Sequence, residues 1–406
     1  MGMDQQKRIF GNELKYLEEV LNTEFRSSKG SAMMQRLERA FAERFNTNYA
    51  ISFINGTATM HAVLEAIGIR PGDEVIVPPL TMSSTAFVVL QAGATPVFAD
   101  VNESTFLIDA KSIENCVTKN TKAIITVSLY GLSPDMDAIM TLANKYNFFV
   151  LEDNAQCVLG RYKNRLVGTL GHAASYSFQS SKHLTSGEGG MIITNDLTLA
   201  ENVRRICSLG YAGVGANKGK ITKDDIQDPN YSRHIMLGWN YRLPELCSAV
   251  ALAQLENIDY LVNTRVSVAR LYLEALNGCE WLIPQFVGDD YESTYWAFTV
   301  KLENSKITWS DFRNKFRELG GDGIYAAWKL TYLEPMFETM SFLGREKFIS
   351  HQTYAKGICP IAESLQPQLL QFKTNYWNEN DALKQADCLK NTIKYFNTLE
   401  KEGVLL

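Results

Sequence analysis

The chain has few cysteines and histidines, and none of them stand in a pattern that binds a metal. Its seven cysteines are scattered, odd in number and free of any CxxC pair, which is typical of reduced thiols in a cytosolic protein. The five histidines include no HExxH or paired motif. The sequence therefore predicts no metal site and a location in the cytoplasm.

The chain also lacks a surplus of basic charge, a long apolar run and any internal repeat. Its formal net charge is -5, so its composition offers no field that attracts a phosphate backbone. No apolar run reaches the length of a membrane span, and the N-terminal stretch MGMDQQKRIFGNELKYLEEV is polar where a secretory signal needs an apolar core. We therefore expect neither a nucleic acid nor a membrane as a partner.

What the sequence does contain is a regular alternation of short apolar runs and amphipathic stretches such as MHAVLEAIG. The runs are YAISFI, EVIVPP, TPVFAD, KAIITVSLY and FFVLED, and SYSF and MIIT follow them after short links. Strands that alternate with helices predict an α/β fold, in which helices cover both faces of a mainly parallel sheet.

The pattern changes after residue 265, which divides the chain into two predicted domains. Residues 1–265 form an N-terminal segment and a large domain, and residues 266–406 form a smaller α+β domain that includes the strand TYWAFTVKL. A long loop at 211–234 interrupts the large domain, and its GVGANKG run lacks the glycine spacing of a nucleotide-binding fingerprint. We interpret this loop as a substrate lid or an interface segment.

One lysine stands in a segment that suits covalent chemistry. The segment SFQSSKHLTSGEGG places Lys182 between a hydroxyl residue and a glycine-rich turn that leads into the strand MIIT. A lysine that forms a Schiff base must lose its proton, so it needs shelter from water and cationic neighbours that lower its pKa. Because most lysines are solvated surface charges, the segment is only suggestive by itself.

Residues that follow two predicted strands favour a phosphate-bearing cofactor. Asp153 ends FFVLED, at the edge where α/β sheets bind ligands, and a carboxylate there suits the ring nitrogen of pyridoxal phosphate. The alternative for Asp153 is a helix cap. In FINGTATMHAVLEAIG, Gly56 and Thr57 open a helix whose N–H groups suit a phosphate. The Ser177 hydroxyl is a further candidate donor to that phosphate. The alternative for this segment is an ordinary capped turn.

Two more segments place side chains at the start of a helix. In PPLTMSSTAFVVLQAG, Met82 would lie near the same sheet edge and cover a flat ring, although a methionine on an apolar helix face is more often core filler. GWNYRLPELCSAVALAQL places Asn240 and Arg242 just before a helix whose start is marked by Pro244.

Together these motifs resemble the sugar aminotransferases of the DegT/DnrJ/EryC1/StrS group. The resemblance runs through NGTATMHAVLEAIGIRPGDEVIVPPLT, TPVFADV, EDNAQ, SFQSSKHLTSGEGG and GWNYRLPELCSAVALAQLE, which is nearly the whole chain. It implies the aspartate aminotransferase fold, fold type I of pyridoxal phosphate enzymes, with a seven-stranded sheet. It also implies pyridoxal 5'-phosphate as cofactor, and transfer of an amino group from an amino acid, glutamate, to a keto sugar.

The resemblance implies roles for individual residues as well. Lys182 matches the lysine that holds the cofactor and moves the proton, Asp153 the acid that pairs with the ring nitrogen, and Gln156 the residue that reaches the ring hydroxyl. The phosphate cradle matches Gly56, Thr57, Ala58 and Ser177. Asn240 matches a residue that reaches the phosphate of the neighbouring subunit, which implies a homodimer with shared active sites.

The departures from the family pattern concern the substrate. Met82 stands where many members place an aromatic ring over the cofactor, and GGDGIYAAWKLTYLEP replaces a more familiar Tyr-Pro stretch. We therefore take the following as substrate candidates: Arg233, Arg242, Tyr325, Trp328 and Lys329. The TMSST and YAAWKLTY segments are similar to enzymes that aminate an 8-oxo form of the octulosonate sugar of lipopolysaccharide. A nucleotide-linked 3- or 4-keto-6-deoxy sugar is the alternative.

Two other functions compete with amino transfer. The family's dehydratase branch uses the same cofactor but carries His where the transaminases carry Lys, so Lys182 argues against it. A binding or regulatory protein that keeps the fold without catalysis is the alternative from another class. Intact Lys182, Asp153 and phosphate cradle argue against that alternative.

Overall fold

The computed structural model describes residues 8–25, 30–349 and 353–401, so the outer limits of the two predicted domains lie outside it. The α-helices are α1 (Asn12–Asn22), α2 (Met33–Phe45), α3 (Gly56–Ala66), α4 (Ser84–Gln91), α5 (Ala110–Cys116), α6 (Met136–Tyr146), α7 (Leu197–Cys207), α8 (Lys223–Gln227), α9 (Glu245–Leu255), α10 (Ile258–Ala275), α11 (Trp309–Glu318), α12 (Pro335–Glu338), α13 (Pro360–Leu365) and α14 (Glu379–Lys401). None of the helices in these ranges is both long and apolar enough to cross a membrane.

The strands form three sheets. They are β1 (Tyr49–Phe53), β2 (Glu74–Val77), β3 (Thr95–Phe98), β4 (Thr121–Val127), β5 (Phe149–Asp153), β6 (Arg161–Tyr162), β7 (Arg165–Leu166), β8 (Ala173–Ser177), β9 (Gly190–Thr194), β10 (Leu282–Pro284), β11 (Tyr291–Glu292), β12 (Ala297–Leu302), β13 (Tyr325–Ala326) and β14 (Leu369–Lys373). The sheet orders are β1-β9-β8-β5-β4-β2-β3, β10-β12-β14-β13 and β11-β6-β7.

The seven-stranded sheet confirms the predicted α/β fold class. Strands β8, β5, β4, β2 and β3 pair in parallel, and β9 alone runs against its neighbours β1 and β8. The strands β2, β3 and β9 are buried along their whole length. Continuous apolar runs form such strands because helices cover both faces of the sheet.

The register of the sheet brings the ends of four strands to one edge. Val127 at the end of β4 pairs with Asp153 at the end of β5, and Asp153 pairs with Ser175 in β8. Across β9, Gly190 pairs with both Ser177 and the last residue of β1. Chain segments that follow β1, β4, β5 and β8 therefore meet at a common edge, where α/β folds bind ligands.

The predicted small domain has its own sheet and core. The antiparallel sheet β10-β12-β14-β13 packs with α10, α11 and α14 around a core that includes Leu302, Phe312, Phe372 and Leu389. The predicted boundary at residue 265 falls inside α10, which continues across it. The apolar residues around α12 and α13 pack instead against the core of the large sheet, so division into two domains stays a prediction.

The predicted loop at 211–234 contains one short helix, α8. This helix begins where Thr222 and Asp225 form a capping box, in which each side chain accepts a hydrogen bond from the other residue's backbone. Beyond α8 the chain leads into the GWNYR segment. Three apolar side chains at alternating positions are exposed there, namely Ile235, Leu237 and Trp239.

Candidate active site

Lys182 lies in a closed loop that joins β8 to β9. The Phe178 N–H donates to the Gly189 carbonyl at 2.8 Å, and the Ser186 N–H donates to the Phe178 carbonyl at 3.0 Å. The Lys182 N–H donates to the Gln179 carbonyl at 2.9 Å, which turns the chain back on itself. Hydrogen bonds within the loop therefore hold Lys182 at a set position on the ligand-binding edge of the sheet.

The amine of Lys182 is sheltered and easily deprotonated. Its Nζ lies 4.7 Å from the centre of the Trp296 ring. The pKa of Lys182 is lowered from 10.5 to about 8, chiefly by burial and also by the Arg265 charge, while Asp153 and Glu188 partly oppose the shift. These are the surroundings that an amine needs if it is to act as a nucleophile or a base near neutral pH.

Asp153 is a buried carboxylate that faces the same space as Lys182. Its Oδ2 accepts a hydrogen bond from the Thr85 hydroxyl at 3.2 Å, and its Oδ1 accepts one from the Ala155 N–H at 3.1 Å. Burial raises the pKa of Asp153 above its usual value, and the charge of Lys182 opposes this rise. A turn follows Asp153, so its carboxylate caps no helix.

The preceding carboxylate, Glu152, points away from the site. Its two oxygens accept hydrogen bonds from the N–H groups of Gly168, Leu170 and Gly171 at 2.6–2.8 Å. Successive side chains of a strand lie on opposite faces of the sheet, which separates these two acids. Glu152 therefore ties down the 168–171 turn, and only Asp153 is available to a ligand beside Lys182.

The start of α3 forms a cradle of the kind that binds phosphate. Asn55 caps the helix by accepting the Ala58 N–H at 2.8 Å, whereas the described residues provide no hydrogen-bond partner for the N–H groups of Gly56 and Thr57. A Cβ added to Gly56 would lie only 2.9 Å from the Cβ of Ser177. The cradle thus offers two free N–H groups and the Ser177 hydroxyl, while the predicted Ala58 donor is already engaged.

Gln156 of EDNAQ and Met82 of TMSST complete this edge. Gln156 is buried, and its Oε1 accepts the backbone N–H of Tyr130 at 2.8 Å. Met82 is 52% exposed and lies three residues before Thr85, at the rim of the site and outside the core. The sequence reasoning overlooked Thr85 as an Asp153 partner, although the hydroxyl-rich TMSST run at a helix start was a possible signal.

The predicted substrate residues fall into two groups. Arg242 pairs with Phe53 at the end of β1, next to the cradle, and its Nη1 is buried with no hydrogen-bond partner among the described residues. Arg233 and Asn240 are exposed on the neighbouring surface, and Asn240 forms a single bridge with Ser208. Arg242 is therefore the basic residue at this end that is best placed to bind an anionic group.

The second group lines a cavity of about 340 Å³ next to Lys182. Tyr325, Trp328 and Trp296 contribute to its walls, and the two tryptophan rings lie 6.3 Å apart at 30°. Ser181, the residue before Lys182, also lines it. Lys329 is exposed and does not contribute to the cavity wall.

Two arginines that the sequence reasoning overlooked contact the main chain of Lys182. Arg8 and Arg265 both donate to the Lys182 carbonyl, from positions 174 and 83 residues away. No spacing rule in the sequence links residues so far apart. Only the fold brings them together.

Comparison with known proteins identifies the chain. The model of the DegT/DnrJ/EryC1/StrS aminotransferase family matches residues 7–370. The chain belongs to this family. A GDP-perosamine synthase of Escherichia coli O157:H7 is 34% identical to this aminotransferase over 363 residues, 89% of each chain. A GDP-perosamine synthase of Caulobacter vibrioides is 37% identical over 306 residues, 75% of this chain and 78% of that one.

The fold of this aminotransferase matches known members as well. The crystal structure of the aminotransferase from Psychrobacter cryohalolentis superposes with a TM-score of 0.84 at 27% identity, covering 95% of this chain and 98% of that one. The predicted family, the pyridoxal phosphate cofactor and the sugar aminotransferase class are thereby confirmed. The residues present fit that cofactor, because a cradle with two free N–H groups, a buried carboxylate and a sheltered lysine share one edge.

Proposed function

We propose that this sugar aminotransferase moves an amino group from glutamate to a nucleotide-linked keto sugar, at a site built around Lys182 and Asp153. The observation that carries the site is the meeting of a sheltered lysine with a buried carboxylate at the sheet edge. The acceptor class is supported by the two relatives whose name gives GDP-perosamine as the product.

In this proposal each part of the edge binds one part of the cofactor. The Gly56 and Thr57 N–H groups and the Ser177 hydroxyl bind the phosphate, and Gln156 binds the ring hydroxyl. The Asp153 carboxylate binds the ring nitrogen, and the Thr85 hydroxyl orients that carboxylate. Pyridoxal phosphate, when bound, supplies an electron-withdrawing ring that makes the bonds at the amine-bearing carbon easier to break.

Lys182 supplies the proton chemistry. Its Nζ is neutral for a substantial part of the time near pH 8, so it can accept a proton and return it to another atom. The Trp296 ring, 4.7 Å away, covers the amine and keeps water from it. A proton on Nζ is stabilised by the carboxylate of Asp153, which keeps the protonated state accessible too.

Donor and acceptor bind next to these groups. The unpaired Nη1 of Arg242 is suited to the carboxylate of glutamate, with exposed Arg233 as a second cation on that side. The sugar occupies the aromatic cavity, where Trp328 and Tyr325 present flat faces to its ring. Its carrier then extends outward past Lys329 and Met82, which are both exposed.

A second acceptor, the 8-oxo octulosonate, is favoured by a contact between two segments. The Thr331 N–H donates to the Pro79 carbonyl at 3.2 Å, and the Thr331 and Ser83 hydroxyls lie 3.4 Å apart. The TMSST and YAAWKLTY segments, which are similar to enzymes of that branch, thus form one wall of the site. Lys329, exposed two residues before Thr331, carries an ammonium group that suits an acidic sugar.

A substrate panel distinguishes the two acceptors. We expect the holoenzyme, supplied with glutamate, to form 2-oxoglutarate and an amino sugar with a GDP-linked 4-keto-6-deoxy sugar. Mass spectrometry of the products gives kcat/KM for that sugar, for its dTDP and UDP analogues and for the octulosonate ketone. Turnover of the octulosonate alone would replace the leading proposal with the second one, and turnover of neither would refute both.

We further propose that the active enzyme is a homodimer whose subunits share their sites. A ridge formed by Ile235, Leu237 and Trp239 is exposed, and Leu237 is exposed to 80%. Contiguous apolar surface of this kind is typical of an interface between proteins. Asn240 follows the ridge and is exposed as well, so a second copy seated on the ridge places Asn240 near that copy's phosphate cradle.

Subunit mixing tests the shared site. Lys182→Ala and Asn240→Ala are each expected to be inactive as pure dimers, and mixing them under exchange conditions should restore activity in the mixed dimers. Leu237→Asp should convert the protein to a monomer in sedimentation experiments because it places a charge in the interface. Leu343→Asp is the matched control, since Leu343 is 92% exposed and belongs to a different segment of the chain, after α12. Absence of restored activity would argue for independent sites.

A further inference from the structure

The main chain around Lys182 is held by two arginine side chains from opposite ends of the domain. Arg8 donates from Nη2 to the Lys182 carbonyl at 2.5 Å and from Nη1 to the Ser180 carbonyl at 2.6 Å. Arg265 donates from Nη2 to the Ser181 carbonyl at 2.8 Å and to the Lys182 carbonyl at 3.3 Å. Three successive carbonyl groups are thus bound by two guanidinium groups.

Arg265 also links this loop to the small sheet. Its Nη1 donates to the Trp296 carbonyl at 2.9 Å and to the Thr374 hydroxyl at 3.2 Å. The indole N–H of Trp296 in turn donates to the Ser181 carbonyl at 3.0 Å. One buried side chain therefore sets the distance between Lys182 and the ring that covers its amine.

These arginines have no carboxylate partner within the described residues. Their hydrogen-bond acceptors there are carbonyl and hydroxyl oxygens, and Arg265 is 1% exposed. Burial lowers the pKa of Arg265 from 12.5 to about 9 and that of Arg8 to about 10. Burying a cation without a carboxylate partner carries a desolvation penalty, which lowers the stabilisation that the loop gains from these carbonyl contacts. A positive charge retained here acts on other groups nearby.

The group most affected is the amine of Lys182. The charged groups that face it are Arg265, which favours its neutral form, and Asp153 and Glu188, which favour its protonated form. His183 is buried beside it, with Nε2 2.9 Å from the Thr294 carbonyl and a pKa well below its usual value, so it adds no charge. Among the described residues, Arg265 is therefore the cation that opposes the effect of the two carboxylates on the pKa of Lys182.

We propose that Arg265 and Arg8 are positioning residues that form a two-arginine clamp on the Lys182 peptide. The charge of Arg265 adds to this by favouring the neutral amine at Nζ. The clamp holds Nζ over Trp296 and beside Asp153. It rests on the proposed role of Lys182 as the cofactor-binding lysine. The N-terminal segment, through Arg8, thereby becomes part of the active site without touching a substrate.

Titration of Lys182 in the cofactor-free protein tests the charge effect. Competitive reductive methylation at a series of pH values, read by mass spectrometry, should give Lys182 a midpoint of about 8, against about 10.4 for the lysine of an unstructured reference peptide. In Arg265→Met the midpoint should rise by about one unit, which is a roughly tenfold slower labelling at pH 7. Arg265→Lys keeps the charge, so the labelling midpoint of Lys182 should stay near 8 in that variant. Its kcat should fall by a larger factor than its KM changes.

Hydrogen exchange tests the clamp separately, with a residue that is less buried. Arg8→Met should speed amide exchange in peptides that cover residues 178–189 and leave other peptides unchanged. Arg44→Met, which removes an exposed arginine paired with Asp259, is the matched control. This measurement also tests whether the clamp holds the Lys182 loop if Arg265→Met fails to fold.

The outcomes separate the clamp from the proposed function. A folded Arg265→Met protein with an unchanged midpoint, or an Arg8→Met loop that exchanges as in the wild type, would overturn the clamp. A wild-type Lys182 that titrates like the lysine of the reference peptide would instead overturn its role as the reactive lysine.

Discussion

Replacing Lys182 with arginine is expected to abolish amino transfer. Arginine keeps the length and the charge, but its guanidinium stays protonated at every working pH, so it can neither bind the cofactor covalently nor accept a proton. Loss of the acid-base group alone lowers kcat by about 10²–10⁴-fold, and loss of the covalent anchor adds to that. We therefore expect no glutamate-dependent amino sugar formation above background.

Retention of the cofactor gives a second measurement of the same change. After borohydride reduction of the holoenzyme, the peptide that contains Lys182 should carry the added mass of the cofactor in the wild type and none in Lys182→Arg. Lys145→Arg is the control, because Lys145 lies on the surface in an ion pair with Glu114. Cofactor mass on another lysine, with activity intact in Lys182→Arg, would contradict the assignment of the site.

Replacing Asp153 with asparagine should nearly abolish activity without weakening the fold. A neutral amide cannot stabilise a protonated ring nitrogen, and removal of one such buried electrostatic contact costs about 10²–10³-fold in kcat. The cofactor-free variant should melt at the same temperature or higher. Burial raises the pKa of Asp153 above its unfolded value, so at neutral pH ionisation of this carboxylate favours unfolding, and an uncharged isostere removes that cost.

The neighbouring acid provides a matched control for this prediction. Glu152→Gln replaces one of two oxygens that together accept three backbone N–H groups, so at least one buried N–H loses its acceptor. That loss costs about 1–3 kcal/mol of stability. Thermal unfolding should therefore show a lower melting temperature for Glu152→Gln than for Asp153→Asn. A large loss of stability in Asp153→Asn, with kcat retained, would make Asp153 a structural residue.

The sequence reasoning was most reliable where a residue's role depends on its own strand or turn. The apolar runs predicted the strands of the large sheet because a strand that is buried on both faces must be apolar throughout. Gly56 and Thr57 were recognisable as a helix start because helix-start chemistry is local, spanning three or four residues. The ordered motifs identified the family from the sequence alone, and membership of the family implies the cofactor.

The reasoning was less complete where a role depends on residues far apart in the chain. Thr85 reaches Asp153 across 68 positions, and Thr331 meets Ser83 across 248. The short strand β11 pairs with β6 of the large domain although it lies in the predicted small one. Contacts between distant residues depend on which surfaces the fold brings together, and the periodicity of a single sequence does not predict them.

The amino-acid sequence by itself determined the α/β class, the cofactor and the lysine and acid that are proposed to work with it, because these follow from local patterns and ordered motifs. Only the tertiary structure decided how acidic the Lys182 amine is and which groups hold it in place. The pKa of an amine depends on its burial and on every nearby charge, and here those charges come from Asp153, Glu188 and Arg265, which are dispersed along the chain.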